Sequence, residues 1–383
     1  ASCCEMEELT QDDRQLTPEL VTSFSSHLAP DQNGPSIAFT EFLAANQRLS
    51  GGLGHVGTQR NLVSVNVSGN RLTSLLGLQL LPHLAMLKAS DNRLLSVLDF
   101  PAAEGGSRLR VAELCRNQIV GAVSLPPDPI TDEDLGVDAH AGLEELRLDG
   151  NSVRSLRGIE VVSHLRLLSV GGNELQDTAG LAPLTALRTL DLSSNGLVAC
   201  DELPWLVNLT SLSLANNQLS TLPAALGAAA TRLGSLDLSD CQLPSLSAVV
   251  KTLGGAGSPL RSLWLRGNPM ETAYEASAHI GHGVHKDLEG PAALADFRLY
   301  ALYSFPRLHE LDGVPASAED KVAAANHHGA DTADLIAIRR SHFPEVVSDA
   351  TSACAAELPS LIELYKNQYT AAFGSKASSN GNA

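Results

Sequence analysis

The stretch LEELRLDGNSVRSLRGIEVVSH, residues 143–164, places leucines at 143, 146 and 148 and an asparagine at 151. The phrase it contains, L-x-x-L-x-L-x-x-N-x-L, occurs in nine copies. Its asparagine position is filled by Asn70, Asn92, Asn117, Asn151, Asn173, Asn195, Asn217, Cys241 and Asn268. Successive copies lie 22, 25, 34, 22, 22, 22, 24 and 27 residues apart, so the underlying unit is 22 residues long. A period of that size decides the architecture before local propensity does, because one such unit cannot bury its own apolar face and must stack on its neighbours.

The phrase is that of a short leucine-rich repeat, and the fold class expected is α/β: a curved solenoid of nine repeats with helical N- and C-terminal extensions. Each copy supplies one strand whose leucines point inward while the residues between them face the concave side, because strand side chains alternate. The Asn turns the chain, and its amide can satisfy backbone groups left unpaired by the bend. Cys241, in LDLSDCQLPSL, is expected to act as a small buried hydrophobe in the same slot. A 22-residue unit leaves the convex side room for a turn of helix and no more.

Two spacings break the rhythm. Between Asn117 and Asn151 lies an insertion carrying Asp128, Asp132, Glu133, Asp134 and Asp138 without one Lys or Arg. It lacks the ligand spacing of an EF-hand and reads as a solvated loop. After Asn268 comes HIGHGVH, residues 279–285; Gly281 and Gly283 disfavour the helix that would gather its three histidines, so a loop is expected rather than a zinc site. The expected organisation is a helical cap over 1–60, the solenoid and its C-terminal cap over 61–313, and a helical extension with a disordered tail over 314–383. Within the cap, SIAFTEFLAANQRL reads as helical, and Leu299, Leu302, Phe305, Leu308 and Leu311 are spaced to close the far end of the core. Leu358, Leu361, Ile362, Tyr365 and Tyr369 form one apolar helical stripe.

Bulk properties exclude several functions. The 383 residues carry a formal net charge of −17, which repels a phosphate backbone or an anionic membrane. No signal peptide or membrane span is expected, and six scattered cysteines suggest a reducing compartment. GLGHVG, residues 52–57, has G-x-G-x-x-G spacing, but without a preceding strand and a following helix it reads as a flexible connector. No P-loop, no H-E-x-x-H and no nucleophile with a base is present. The chain is therefore expected to be non-enzymatic, with no cofactor, no bound metal, no small-molecule substrate and no nucleic acid or membrane partner.

Recognition of proteins remains. The register assigns to the concave face Met86, Lys88 and Arg93, then Glu113 and Arg116, then Arg147, followed by Asp191, Asp237, Trp264 and Arg266. Trp and Arg are enriched among interface residues that dominate binding, which makes Trp264 with Arg266 the first candidate anchor.

The wording of individual repeats adds a family resemblance. LVSVNVSGNRLTSL, LAMLKASDNRLLSV, LRVAELCRNQIV, LEELRLDGNSV, LTSLSLANNQLSTL and LRSLWLRGNPM, with LTPEL, NGPSIAF and NQRL ahead of them, resemble the leucine-rich-repeat protein of the radial spokes of motile cilia and flagella. The likeness covers residues 16–313, with KASDNRL and VAELCRNQI its most specific pieces; the two insertions depart from the family pattern. It implies a structural subunit of the axonemal spoke, located in the cytoskeleton of the cilium or flagellum, with other spoke subunits as partners. Lys88, Arg93, Glu113 and Arg116 would then face those partners. Two other readings compete: a regulatory subunit of a phosphatase or another cytosolic enzyme, and a dynein-associated light chain with leucine-rich repeats, a family typically shorter and without these insertions.

Overall fold

The computed structural model describes residues 14–30, 37–103, 106–122, 140–229, 231–253, 257–272 and 291–328. The expected solenoid is present. Short strands lie side by side in one sheet of 13, in the order of the sequence, and all but the two outermost pairings are parallel. The register is regular: Leu87 pairs with Ala112, Ala112 with Leu146, Leu146 with Leu168, and so on through Leu190, Leu212, Leu236, Leu263 and Leu311.

Each repeat strand has three residues, with the central one buried and the outer two partly exposed. The central Leu and the next inward Leu of each copy, such as Leu146 and Leu148 or Leu190 and Leu192, are essentially inaccessible. Burying a leucine is worth roughly 1.5–3 kcal/mol, so this stacked column is the main source of stability. The convex side is made of single 3₁₀ turns at Val56–Thr58, Leu78–Leu80, Ile159–Val161 and Leu203–Trp205. The longer spacing between Cys241 and Asn268 accommodates the helix Leu246–Leu253.

The Asn positions form a hydrogen-bonded ladder. Asn173 Nδ2 donates to Val170 O within its own turn at 3.0 Å and to Leu148 O of the preceding repeat at 3.0 Å, while Oδ1 accepts from Val153 N at 2.9 Å. The same pattern holds at Asn70, Asn92, Asn117, Asn151, Asn195, Asn217 and Asn268. At Cys241 the thiol donates to Leu214 O at 3.3 Å and takes a backbone contact from Asn217, with none of the amide's second donor.

The N-terminal region differs from the expectation. SIAFTEFLAANQRL is not helical: Ile37–Leu43 is a strand, parallel to Ser64–Asn66 and antiparallel to Ser25–Pro30. It is a degenerate repeat, with Phe42 and Ala44 buried where leucines stand elsewhere and Gln47 in the Asn slot, its Nε2 donating to Ala45 O at 3.0 Å. The sheet thus begins ahead of residue 61, because aromatic Phe42 fills the end of the core as a leucine would. A helix does precede it, Pro18–Phe24, capped by Thr17. GLGHVG is not a loose connector either. Leu53 and Val56 are fully buried, and Gly57 sits so close to the next repeat that a Cβ would lie 2.8 Å from Gly77 O.

At the other end, Leu302, Phe305, Leu308 and Leu311 are buried and Leu299 packs against them. Glu310–Leu311 adds a last parallel strand, and Asp312 Oδ1 accepts from Leu265 N and Arg266 N at 2.6 and 3.0 Å. The helix Pro291–Ser304 covers this end, and Ala318–His328 packs on it. The acidic residues 128–138, HIGHGVH and the stripe from Leu358 to Tyr369 lie outside the described residues.

Candidate functional site

With leucines committed to the core, the first and third residues of each strand form two columns across the concave face. The first column runs Glu41, Ser64, Met86, Val111, Glu145, Leu167, Thr189, Ser211, Ser235, Ser262 and Glu310. The third runs Leu43, Asn66, Lys88, Glu113, Arg147, Ser169, Asp191, Ser213, Asp237 and Trp264. Met86, Lys88, Glu113, Arg147, Asp191, Asp237 and Trp264 therefore stand on one surface, as the register requires.

Arg93, Arg116 and Arg266 lie beyond the strand ends, at the rim of that surface: Arg93 comes after Asp91 at φ 56°, Arg116 is itself left-handed at φ 51°, and Arg266 stands two residues past Trp264, just ahead of Gly267 at φ 75°. At that rim Arg116 holds Asp91 of the preceding repeat bidentately, Nε to Oδ1 at 2.5 Å and Nη2 to Oδ2 at 2.6 Å. The guanidinium keeps the Asp91 carboxyl below its ordinary range. Arg154 does the same for Glu174, Nε to Oε2 at 2.9 Å.

The concave charges are prearranged. Lys88 Nζ lies 3.2 Å from Glu113 on the adjacent strand, and Arg147 lies 3.9 Å from Glu145 on its own. Below them Asp149 is the centre of a small network: Ser169 Oγ donates to it at 2.5 Å, Gly171 N at 2.9 Å and Cys115 Sγ at 3.3 Å. Burial, reinforced by this carboxylate, raises the Cys115 thiol above its usual pKa, so it is a poor nucleophile. Further along, Asp191 accepts from Ser193 N, and Asp237 from Ser239 N and Oγ, so both carboxylates are fixed by their own turns. Trp264 is half-exposed beside Asp237.

Among the described residues no group of three or more His, Cys, Asp or Glu is placed to hold a metal ion, and no helix is long and apolar enough to cross a membrane. The sequence reading missed Glu41 and Leu43, the latter an exposed leucine, because it took their strand for a helix. The recurrent F-x-x-F-x-A-x-x-Q-x-L in residues 39–49 was the signal that could have placed them.

Fold and register together define a leucine-rich-repeat solenoid with a concave sheet of mixed charged, polar and apolar side chains. The Leucine Rich Repeat family model matches residues 208–228. A leucine-rich-repeat protein of Leptospira interrogans aligns over 71% of this chain and 59% of its own, with 21% identity and a TM-score of 0.49. The ectodomain of the Arabidopsis thaliana receptor kinase GASSHO1/SCHENGEN3 aligns over 71% of this chain and 29% of its own, with 27% identity and a TM-score of 0.48. Internalin C2 of Listeria monocytogenes aligns over 47% and 73%, with 25% identity and a TM-score of 0.38. This chain thus spans less than two thirds of the first of these and under a third of the receptor ectodomain. No curated protein matches it significantly in sequence. No catalytic family emerges from these comparisons, and the fold reading rests on the register and the Asn ladder.

Proposed function

We propose that this protein is a non-enzymatic scaffold subunit of the axonemal radial spoke, binding neighbouring spoke proteins through its concave sheet. The observation that carries the binding role is the run of fixed charges across adjacent strands, Lys88 against Glu113 and Arg147 against Glu145, with Trp264 at the far end. Charges held before a partner arrives lose little freedom on binding and set its orientation. The assignment to the spoke, and with it a location in the cilium or flagellum, is supported by the resemblance of the second and third repeats, KASDNRL and VAELCRNQI, and of the lead-in.

The test is cross-linking with mass spectrometry on isolated axonemes, reading links from Lys88 on the concave sheet and Lys251 on the convex helix. Links from Lys88 to several spoke subunits are expected. Dominant links to a phosphatase catalytic subunit, with no axonemal partner, would replace this reading with that of a regulator.

A further inference from the structure

A second surface emerges from the residues that lead into the strands. Four residues precede each of the ten strands from Ser64–Asn66 to Glu310–Leu311, in segments from 60–63 to 306–309. In a chain with 26 Lys and Arg against 43 Asp and Glu, these segments hold eight arginines and a single acidic residue, Glu144. Stacking gathers them on one edge of the solenoid, opposite the Asn turns. Arg108, Arg110, Arg166, Arg188, Arg232, Arg261 and Arg307 are all exposed there.

The edge shows what it is able to hold. The carboxylate of Glu144 is gripped from both sides, by Arg110 at 2.9 Å and by Arg166 at 3.1 Å, from the repeats before and after its own. An open depression of about 790 Å³ lies around these residues, between Arg108 and His164. Arg188 and Arg261 have the same relation to their strands, and Arg307 stands three residues ahead of its own as Arg108 does, yet all three have no ion-pair partner among the described residues. They continue the row with no carboxylate supplied by the described residues.

We propose that this arginine edge is a docking site for an extended Asp- and Glu-rich segment of a partner protein, running along it from Arg166 toward Arg307. Strands about 4.8 Å apart and a peptide rise of about 3.3 Å per residue let roughly seven or eight residues span the row. Arginine binds carboxylates through paired hydrogen bonds, which favours Asp and Glu side chains. Nucleic acid fits less well. The ten segments contain no Phe, Tyr or Trp on which a base could stack, and a long phosphate backbone would run past the edge into the acidic remainder of the chain. The surface is distinct from the concave face and does not depend on the spoke assignment.

The experiment is fluorescence anisotropy of a labelled deca-glutamate peptide with the full chain. Binding is expected, weakening steeply between roughly 0.05 and 0.5 M salt. It should fall about tenfold or more in R166E/R188E/R261E/R307E, and measurably in the milder R188Q/R261Q/R307Q, both checked for a native melting transition. The concave variant K88E/R147E should bind as the unmodified chain does. Equal binding by the edge variants and the unmodified chain overturns the proposal, as does no binding at low salt. Tighter binding of a single-stranded oligouridine than of the peptide overturns the choice of ligand. If the peptide binds only after Asp128, Asp132, Glu133, Asp134 and Asp138 are all neutralised, the edge is occupied in cis and the partner assignment fails.

Discussion

Asn173 and Val153 are tied across one turn of the solenoid: Asn173 Oδ1 accepts from Val153 N at 2.9 Å while its Nδ2 serves the carbonyls of Leu148, Val170 and Gly171. One buried side chain thus satisfies backbone groups of two repeats. Removing it strands all of them, so Asn173→Ala should cost about 3 kcal/mol, read as a lower urea midpoint. Asn173→Asp should cost at least as much, since a carboxylate cannot donate. A loss below roughly 1 kcal/mol would show that water replaces the amide at this depth.

Cys241 is the informative exception within this ladder. Its thiol reaches Leu214 O, but sulfur is a weaker acceptor than the amide oxygen, which by the register of the other slots would face Leu219 N. Cys241→Asn should therefore raise stability by about 1 kcal/mol, with the slope of denaturant unfolding unchanged. A lower midpoint would mean that the turn has reshaped around sulfur. Burial also raises this thiol above its usual pKa and pushes nearby Cys200 up to about 12, so neither should react with a soluble alkylating reagent in the native state.

The repeats were legible because leucine and asparagine each do one job at a fixed spacing, and nothing else in a chain produces that pattern nine times. What was not legible shares a cause. Where the end of the core is filled by Phe42 and Ala44, and the turn by Gln47, the geometry persists while the letters change, and an apolar run of that length reads equally as helix. Alternation assigns Lys88, Glu113 and Trp264 to strand positions but does not extend to Arg93 and Arg116, because strand period stops applying once the backbone turns left-handed, and Arg266 stands two residues past the end of its strand. The arginine edge was overlooked for a different reason. Its residues are spread over separate repeats, as in Arg166 and Arg188, 22 positions apart, and form a surface only after stacking.

Gly57 tests the corrected reading of GLGHVG. A Cβ at this position would lie 2.8 Å from Gly77 O and from Leu80 Cβ, in the contact between two convex turns. Gly57→Ala should destabilise by about 1–3 kcal/mol through overpacking. Gly54, with nothing within 4 Å of its added Cβ, should tolerate the same change with little cost. Equal tolerance at both positions, measured by thermal unfolding, would restore the flexible connector.

His140 supplies a pH dependence with a definite sign. It follows the acidic insertion in the sequence and is fully buried, with Nε2 3.1 Å from Phe100 O, Nδ1 2.8 Å from Ser107 Oγ and its ring edge-on to Phe100. Taking Nε2 as the protonated nitrogen, it donates to the carbonyl while Nδ1 accepts from the serine. Burial lowers its pKa below the ordinary value of 6.5, only partly offset by the Phe100 carbonyl. In this window the unfolded chain binds the extra proton and the folded chain resists it, so stability rises with pH. The contribution should be complete above about pH 6.5, and be lost progressively as pH falls from there to the folded-state pKa. Urea titrations at a series of pH values should show this step in the unmodified chain and a smaller one in His140→Gln. An identical pH profile in the two proteins would mean that the ring is accessible enough to protonate where it stands.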